Sequence, residues 1–235
     1  MIKKDVCSYL IENFSDKTEP ISILSKSDKG KVLVNDETSA YSYDKITKQV
    51  YGYIKYPTSA DALFVNNKII LFTEFKSGFK RNISKETLNY NMLTCPSDSA
   101  KICRDYAKLL IEKGRLETDE LLDSIKFKAI ESYITLEKKI LPSCSDFLND
   151  VHLRVIFCVV VDDYIDSMED TLTELASKPS STNTFSRVKS SLSRFVHLKT
   201  SDNKDYYYDE IKVLSPYEYK KYLNSINEES GGSLF

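Results

Sequence analysis

With 235 residues, 41% of them hydrophobic and 29% charged, the chain is long enough to bury a sizeable core and too evenly mixed to be largely disordered. A formal charge of −2 excludes a global basic field, so any attraction for phosphate must come from local patches. No apolar run approaches the roughly 20 residues needed to cross a bilayer, and Met1-Ile2-Lys3-Lys4-Asp5 opens an alternating polar pattern, so a soluble, cytoplasmic protein with no membrane partner is expected.

In chain order, Ile2, Val6, Leu10 and Phe14 share one helical stripe, predicting an amphipathic first helix over 2–14 with Glu12 off that stripe. Runs rich in Val and Tyr (Lys31 to Val34, Ala40 to Tyr43, Val50 to Tyr56) predict strands of a meander. Next come Asp61-Ala-Leu-Phe-Val and Lys68-Ile-Ile-Leu-Phe-Thr-Glu74-Phe-Lys76, two apolar runs flanking Asn66-Asn67. They predict a hairpin with the two asparagines at positive φ in a type I′ turn. Helices follow: one capped by Ser84, a second marked by Ile102, Tyr106 and Leu109, and a third marked by Leu122, Ile125, Ala129, Tyr133, Leu136 and Ile140, closed by Pro142. Leu153 to Val161 is short, Val-rich and almost wholly apolar, which predicts a strand buried on both faces and ending at Asp162-Asp163.

Phe185, Val188, Leu192 and Phe195 suggest an amphipathic helix inside a stretch without acidic residues from Lys178 to Lys199. Tyr206 to Leu214 predicts a further strand, and Ser215-Pro216-Tyr217-Glu218 is a capping box starting a last helix through about Ile226. The expected architecture is therefore α/β (α+β), one domain over 1–227. Its core covers about 2–83 and 150–214, a helical insertion about 84–141, and a loose tail 228–235.

The hairpin carries the chemistry. With Asn66 and Asn67 at its tip, Asp61 pairs with Phe72, so Phe72, Glu74 and Lys76 share the face of Asp61. Asp61 and Glu74 then become diagonal neighbours at roughly 7 to 8 Å between backbones. A one-residue slip would throw Asp61 to the other face. Two carboxylates converging at the polar end of an apolar hairpin suit a hard cation such as Mg²⁺ or Mn²⁺, which makes the closeness of two anions favourable.

This arrangement, Asp61, twelve residues, then Glu74-Phe75-Lys76, resembles the PD-(D/E)XK nuclease superfamily. The order of helix, three antiparallel strands, helix and further strand over roughly residues 2–162 is similar to that family's restriction-endonuclease-like core, a mixed sheet flanked by helices. The resemblance implies that Asp61, Glu74 and the backbone carbonyl of Phe75 hold the metal, while Lys76 positions the attacking water and balances charge on the phosphate. Many members recruit an acid from the first helix, and Glu12 is the candidate here. The implied activity is metal-dependent endonucleolytic hydrolysis of phosphodiester bonds in DNA, in restriction, phage defence or repair. Departures are the position of Pro57, four residues before Asp61, and the length of the helical insertion. The competing reading is a catalytically silent protein of the same fold that docks a protein partner, or a second copy of itself, through that insertion.

Lys80, Arg81 and Lys85, following Lys76, and Arg187, Lys189 and Arg194 on the later helix are candidates for phosphate contact. Tyr206-Tyr207-Tyr208 reads as packing more than as base stacking. His152 and His197 lack a carboxylate or nucleophile at a spacing that suggests a triad. The five cysteines (Cys7, Cys95, Cys103, Cys144, Cys158) show no C-x-x-C and read as incidental thiols. No Gly-rich phosphate loop, H-E-x-x-H or G-x-S-x-G is present.

Overall fold

The computed structural model describes residues 5–27, 30–77, 100–144, 153–162, 184–196 and 207–229. The elements, in order, are α1 (Val6–Phe14), β1 (Thr18–Pro20), α2 (Ile21–Leu24), β2 (Ser39–Ser42), α3 (Tyr43–Tyr51), β3 (Ala62–Val65), β4 (Ile69–Lys76), α4 (Ala100–Thr135), β5 (Arg154–Val161), α5 (Thr184–Val196), β6 (Glu210–Leu214) and α6 (Pro216–Glu229). Six strands form one mixed sheet in sequence order, antiparallel from β1 to β4 and parallel from β4 to β6. The change of direction at β4 follows from the connection: a hairpin joins β3 to β4, whereas parallel strands need a crossover, and α4 lies between β4 and β5.

Both faces of the sheet are covered. Leu63, Val65, Ile70, Phe72, Phe157 and Val159 point into one core, filled from outside by Val6, Leu10 and Phe14 of α1, Ile46 of α3, Leu122, Ile125 and Ala129 of α4, and Val188 and Leu192 of α5. Ala62, Phe64, Leu71, Ile156, Cys158 and Val160 face a second core closed by Ile21 of α2 and by Tyr219, Leu223 and Ile226 of α6. The period of two along each strand assigns these faces, and the unbroken apolar run of β5 is the result of burial on both.

Several expectations are met at residue level. α1 buries Val6, Leu10 and Phe14, and Asp5 caps it by accepting from the Ser8 N–H. The Ser215 capping box forms reciprocally: Glu218 N–H donates to Ser215 Oγ at 3.2 Å, and Ser215 N–H donates to Glu218 Oε2 at 2.8 Å. Among the described residues no helix is long and apolar enough to cross a membrane. Cys7, Cys144 and Cys158 are free thiols.

Three expectations are corrected. The stretch read as a meander contributes only β2; Tyr43–Tyr51 is a helix that buries Tyr43, Ile46 and Thr47 and ends at Gly52 in the left-handed region. Its buried positions recur at three and four residues, a signal that the β propensity of Tyr and Val obscured. The second and third helices of the expected insertion are one continuous α4 of 36 residues, about 54 Å long, continued by a π turn over Leu136–Ile140 and a 3-10 turn over Leu141–Ser143. Tyr106 and Leu109, which mark the second expected helix, are exposed on it. The hairpin turn is not type I′, because Tyr53 is the only non-glycine at positive φ among the described residues. The first predicted insertion helix, with its Ser84 cap, and the tail beyond Glu229 lie outside the described residues.

α4 is held across the sheet by buried polar contacts. Ser132 Oγ accepts from Ala60 N–H at 2.8 Å, the Tyr43 hydroxyl donates to the Ser132 carbonyl at 3.0 Å, and the Tyr208 hydroxyl donates to the Ala129 carbonyl at 2.6 Å. Ser132→Ala would leave the buried Ala60 N–H without its acceptor, so the expected cost is about 1–3 kcal/mol of unfolding free energy, read from the shift in urea midpoint. A midpoint unchanged from wild type would show that the contact does not hold α4.

Candidate active site

The β3–β4 register decides which side chains meet. Val65 pairs with Ile70, Leu63 with Phe72 and Ala62 with Thr73, so the register continued by one residue sets Asp61 opposite Glu74. The tip is Asn67-Lys68, one residue later than expected. Asn66 N–H donates to the Ile69 carbonyl, and the Asn66 side chain accepts from Lys68 N–H and Ile69 N–H. Asn66 thus shapes the turn through its amide oxygen rather than through positive φ. Moving a hairpin tip by one residue changes each pairing by two, and two is the period of the strand, so the expected face is kept. Asp61 is a direct rather than a diagonal neighbour of Glu74.

Asp61 stands where β3 begins. Its N–H donates to the Thr73 carbonyl, its carbonyl accepts from Tyr43 N–H, and its Oδ2 accepts from the Phe75 N–H at 2.8 Å. These bonds fix the carboxylate against the end of β4. Glu74 is fully buried, with 0% exposure. Lys128 of α4 bridges the pair, its Nζ 2.9 Å from Asp61 Oδ1 and 2.9 Å from Glu74 Oε2. Lys76 Nζ stands 3.2 Å from Glu74 Oε1 but gives its hydrogen bond to Ser124 Oγ, so Glu74 Oε1 is a buried oxygen with no hydrogen-bond partner.

Burial, and after it the charge of Asp61, push the Glu74 carboxyl up to about 8 against the pull of Lys128 and Lys76. For Lys128 burial works downwards, but Glu74 and Asp61 outweigh it and hold the ammonium above its usual range. A carboxyl raised in this way binds a proton more tightly folded than unfolded, so its contribution to stability is full at acidic pH and is lost as pH rises towards 8. The stability of Glu74→Gln relative to wild type, measured in EDTA, is therefore expected to rise between pH 5 and 8 by at most about 1.4 kcal/mol per pH unit. A difference independent of pH would overturn the raised value.

The four side chains line a cleft of about 330 Å³ together with the segment carrying Ser25, Lys26, Ser27 and Lys31. Lys26 and Lys31 are both exposed, and a bridge between Lys26 and Val32 folds their segment back on itself. Four lysines thus surround two carboxylates, a local positive field that the net charge conceals.

The other candidates are placed as follows. Glu12 is exposed on α1 and does not line the cleft. Asp162 follows β5 and by alternation belongs to the face opposite Glu74; Asp163 lies outside the described residues. Arg187 on α5 pairs with Asp119 of α4 at 3.8 Å, and Lys189 is exposed; neither lines the cleft. Lys80, Arg81, Lys85, His152 and His197, with the side chain of Arg194, lie outside the described residues. Tyr208 is fully buried and packs against Phe72, Phe157 and Tyr133, as a packing residue would.

Lys128, Lys26 and Lys31 were not singled out from sequence. Lys128 sits next to the buried stripe Leu122, Ile125, Ala129, and with Leu121 and Ser124 it shares helical spacing. That flank was a usable signal only once α4 was known to cross the sheet at Glu74.

Among the described residues no group of three or more His, Cys, Asp or Glu side chains gathers as a metal site. The protein donors available to a cation here are two carboxylates and the backbone. That set still suits Mg²⁺, which keeps several waters and takes one or two carboxylates, and Glu74 Oε1 is a buried oxygen that makes no hydrogen bond. Compared with protein-family models, curated proteins and solved structures, the chain matches none.

Proposed function

We propose that the protein is a metal-dependent nuclease that hydrolyses phosphodiester bonds, with DNA as substrate, and that Asp61, Glu74 and Lys76 form its catalytic centre. The observation that carries this reading is the direct pairing of Asp61 with a fully buried Glu74, with Lys76 one alternation further along β4, in a cleft that Lys26, Lys31 and Lys128 also line. Three antiparallel strands, a crossover helix and a parallel strand also support the resemblance to the PD-(D/E)XK superfamily.

Asp61 and Glu74, with the Phe75 carbonyl, would hold the divalent cation. Bound there, the cation supplies Lewis-acid polarisation of a phosphate oxygen. Lys76, tied to Ser124 beside Glu74, orients water and faces the charge that develops on the phosphate. Lys26 and Lys31 offer the strand's phosphates a positive wall without reading its bases. Restriction, phage defence or repair would be the setting of such an activity.

A second reading, a protein-docking module on a silent nuclease-like fold, is favoured by α4. Leu109, Leu116, Phe127 and Ile134 are exposed, and at about 100° per residue they fall within roughly 20° of one line.

The deciding experiment is cleavage of linear, circular and single-stranded DNA, and of RNA, with Mg²⁺, Mn²⁺ or EDTA. The expected result is metal-dependent cutting that Glu74→Ala and Lys76→Ala each reduce by about 100-fold or more. Wild type and folded variants equally inert in every metal would transfer the assignment to the docking reading.

A further inference from the structure

The four carboxylate oxygens at the site fall into three environments. Asp61 Oδ2 accepts from Phe75 N–H, and Glu74 Oε1 faces Lys76 without a hydrogen bond. The other two, Asp61 Oδ1 and Glu74 Oε2, are both held by Lys128 Nζ at 2.9 Å. A single ammonium therefore links the two acids, from an element remote in sequence from both. We infer that Lys128 is a tethered cation that competes with a divalent metal ion for Asp61 and Glu74, so that the ion enters only as the ammonium leaves. The inference rests on the metal-dependent reading above and concerns the regulation of that same site.

Competition follows from geometry and charge. A divalent ion held by the two acids would need carboxylate lone pairs, and Lys128 already uses the two oxygens that converge on one point. Two cations that claim the same pair of oxygens in a poorly solvated site repel strongly, so the ion and the Lys128 ammonium do not share Asp61 Oδ1 and Glu74 Oε2. Lys128 is also built to leave. Its charge rides on a flexible four-carbon stem, its side chain is 21% exposed, and it lines the cleft. The backbone beneath it need not move, because Ala129 and Ser132 tie that turn of α4 to Tyr208, Tyr43 and Ala60. Lys76 differs, because Ser124 anchors it and it touches only Glu74 Oε1. A displaced Lys128 ammonium stays within the cleft, where the negative charge of a nucleic-acid phosphate offers it a new partner. Metal and substrate would then favour one another's binding.

The test is titration of Mn²⁺ alone into the full-length protein, read by calorimetry and by the electron paramagnetic resonance signal of free Mn²⁺. Wild type, Lys128→Met, Lys128→Gln and the double variant Lys128→Met/Glu74→Ala are compared after circular dichroism shows each to be folded. Glutamine keeps a donor to the carboxylates without the charge, and so guards against loss of fold in the methionine variant. The expected result is Mn²⁺ affinity about tenfold or more higher in both single variants, and lost in the double variant. Equal or weaker affinity in the single variants, with wild type binding, would overturn the competition and leave the metal site standing. Absence of Mn²⁺ binding in every protein would overturn both, leaving Lys128 as a permanent counter-ion.

Discussion

Glu74 is a carboxylate with no exposed surface, and such a group is tolerated only where opposite charge and donors reach it. The surrounding architecture supplies them from three directions. β4 carries the acid and Lys76, the start of β3 brings Asp61 alongside, and α4 brings Lys128 and Ser124 onto the pair. The chain accepts a costly juxtaposition of two acids in its interior, and the buried hydrogen bonds that tie α4 to Tyr43, Ala60 and Tyr208 lie within four residues of the lysine that relieves it. Structural ion pairs of this kind do occur for stability alone. Here the buried acid opens onto a cleft with further lysines, which a purely structural pair does not require.

The two cores explain why this happens at the end of the strands. Along β4, Ile70 and Phe72 serve one core, and Ile69 and Leu71 the other, and both sets are fully or nearly fully buried. Polar chemistry enters past the last apolar pair, beyond the start of β3, where β4 and β5 run on. Phe75 still packs edge-on against Tyr219, so the second face stays closed while the first opens.

How much of this was legible in the sequence depended on the distance over which each signal acts. Alternation in 61–76 and the capping box at Ser215 are local, and both gave the observed structure. The position of the turn did not, because Asn66 acts through its side chain, yet the error of one residue at the tip was harmless to the face assignment. In Tyr43–Tyr51 the β preference of Tyr and Val masks a helical spacing that is present but short. The gap assumed between two helices did not exist, since Gly114 continues α4 rather than ending it. Lys128 was beyond reach for a different reason: its contacts span 67 and 54 residues, and nothing local marks a lysine that will cross the sheet.

The hairpin register also dictates which changes of chain length this fold can absorb. A residue added or removed at Asn67-Lys68 alters only the tip and leaves the strands, and thus the acids, where they are. A single insertion or deletion between Ile70 and Glu74 would instead rotate everything beyond it to the other face. Thr73 or Phe75 would be presented to Asp61, and Glu74 would turn towards Tyr219, whose hydroxyl now meets Thr73 Oγ1 at 3.0 Å. Drift in loop length is thus permitted at one end of the hairpin and forbidden along its body, and any lineage that keeps these acids paired must keep the parity of the five residues from Ile70 to Glu74.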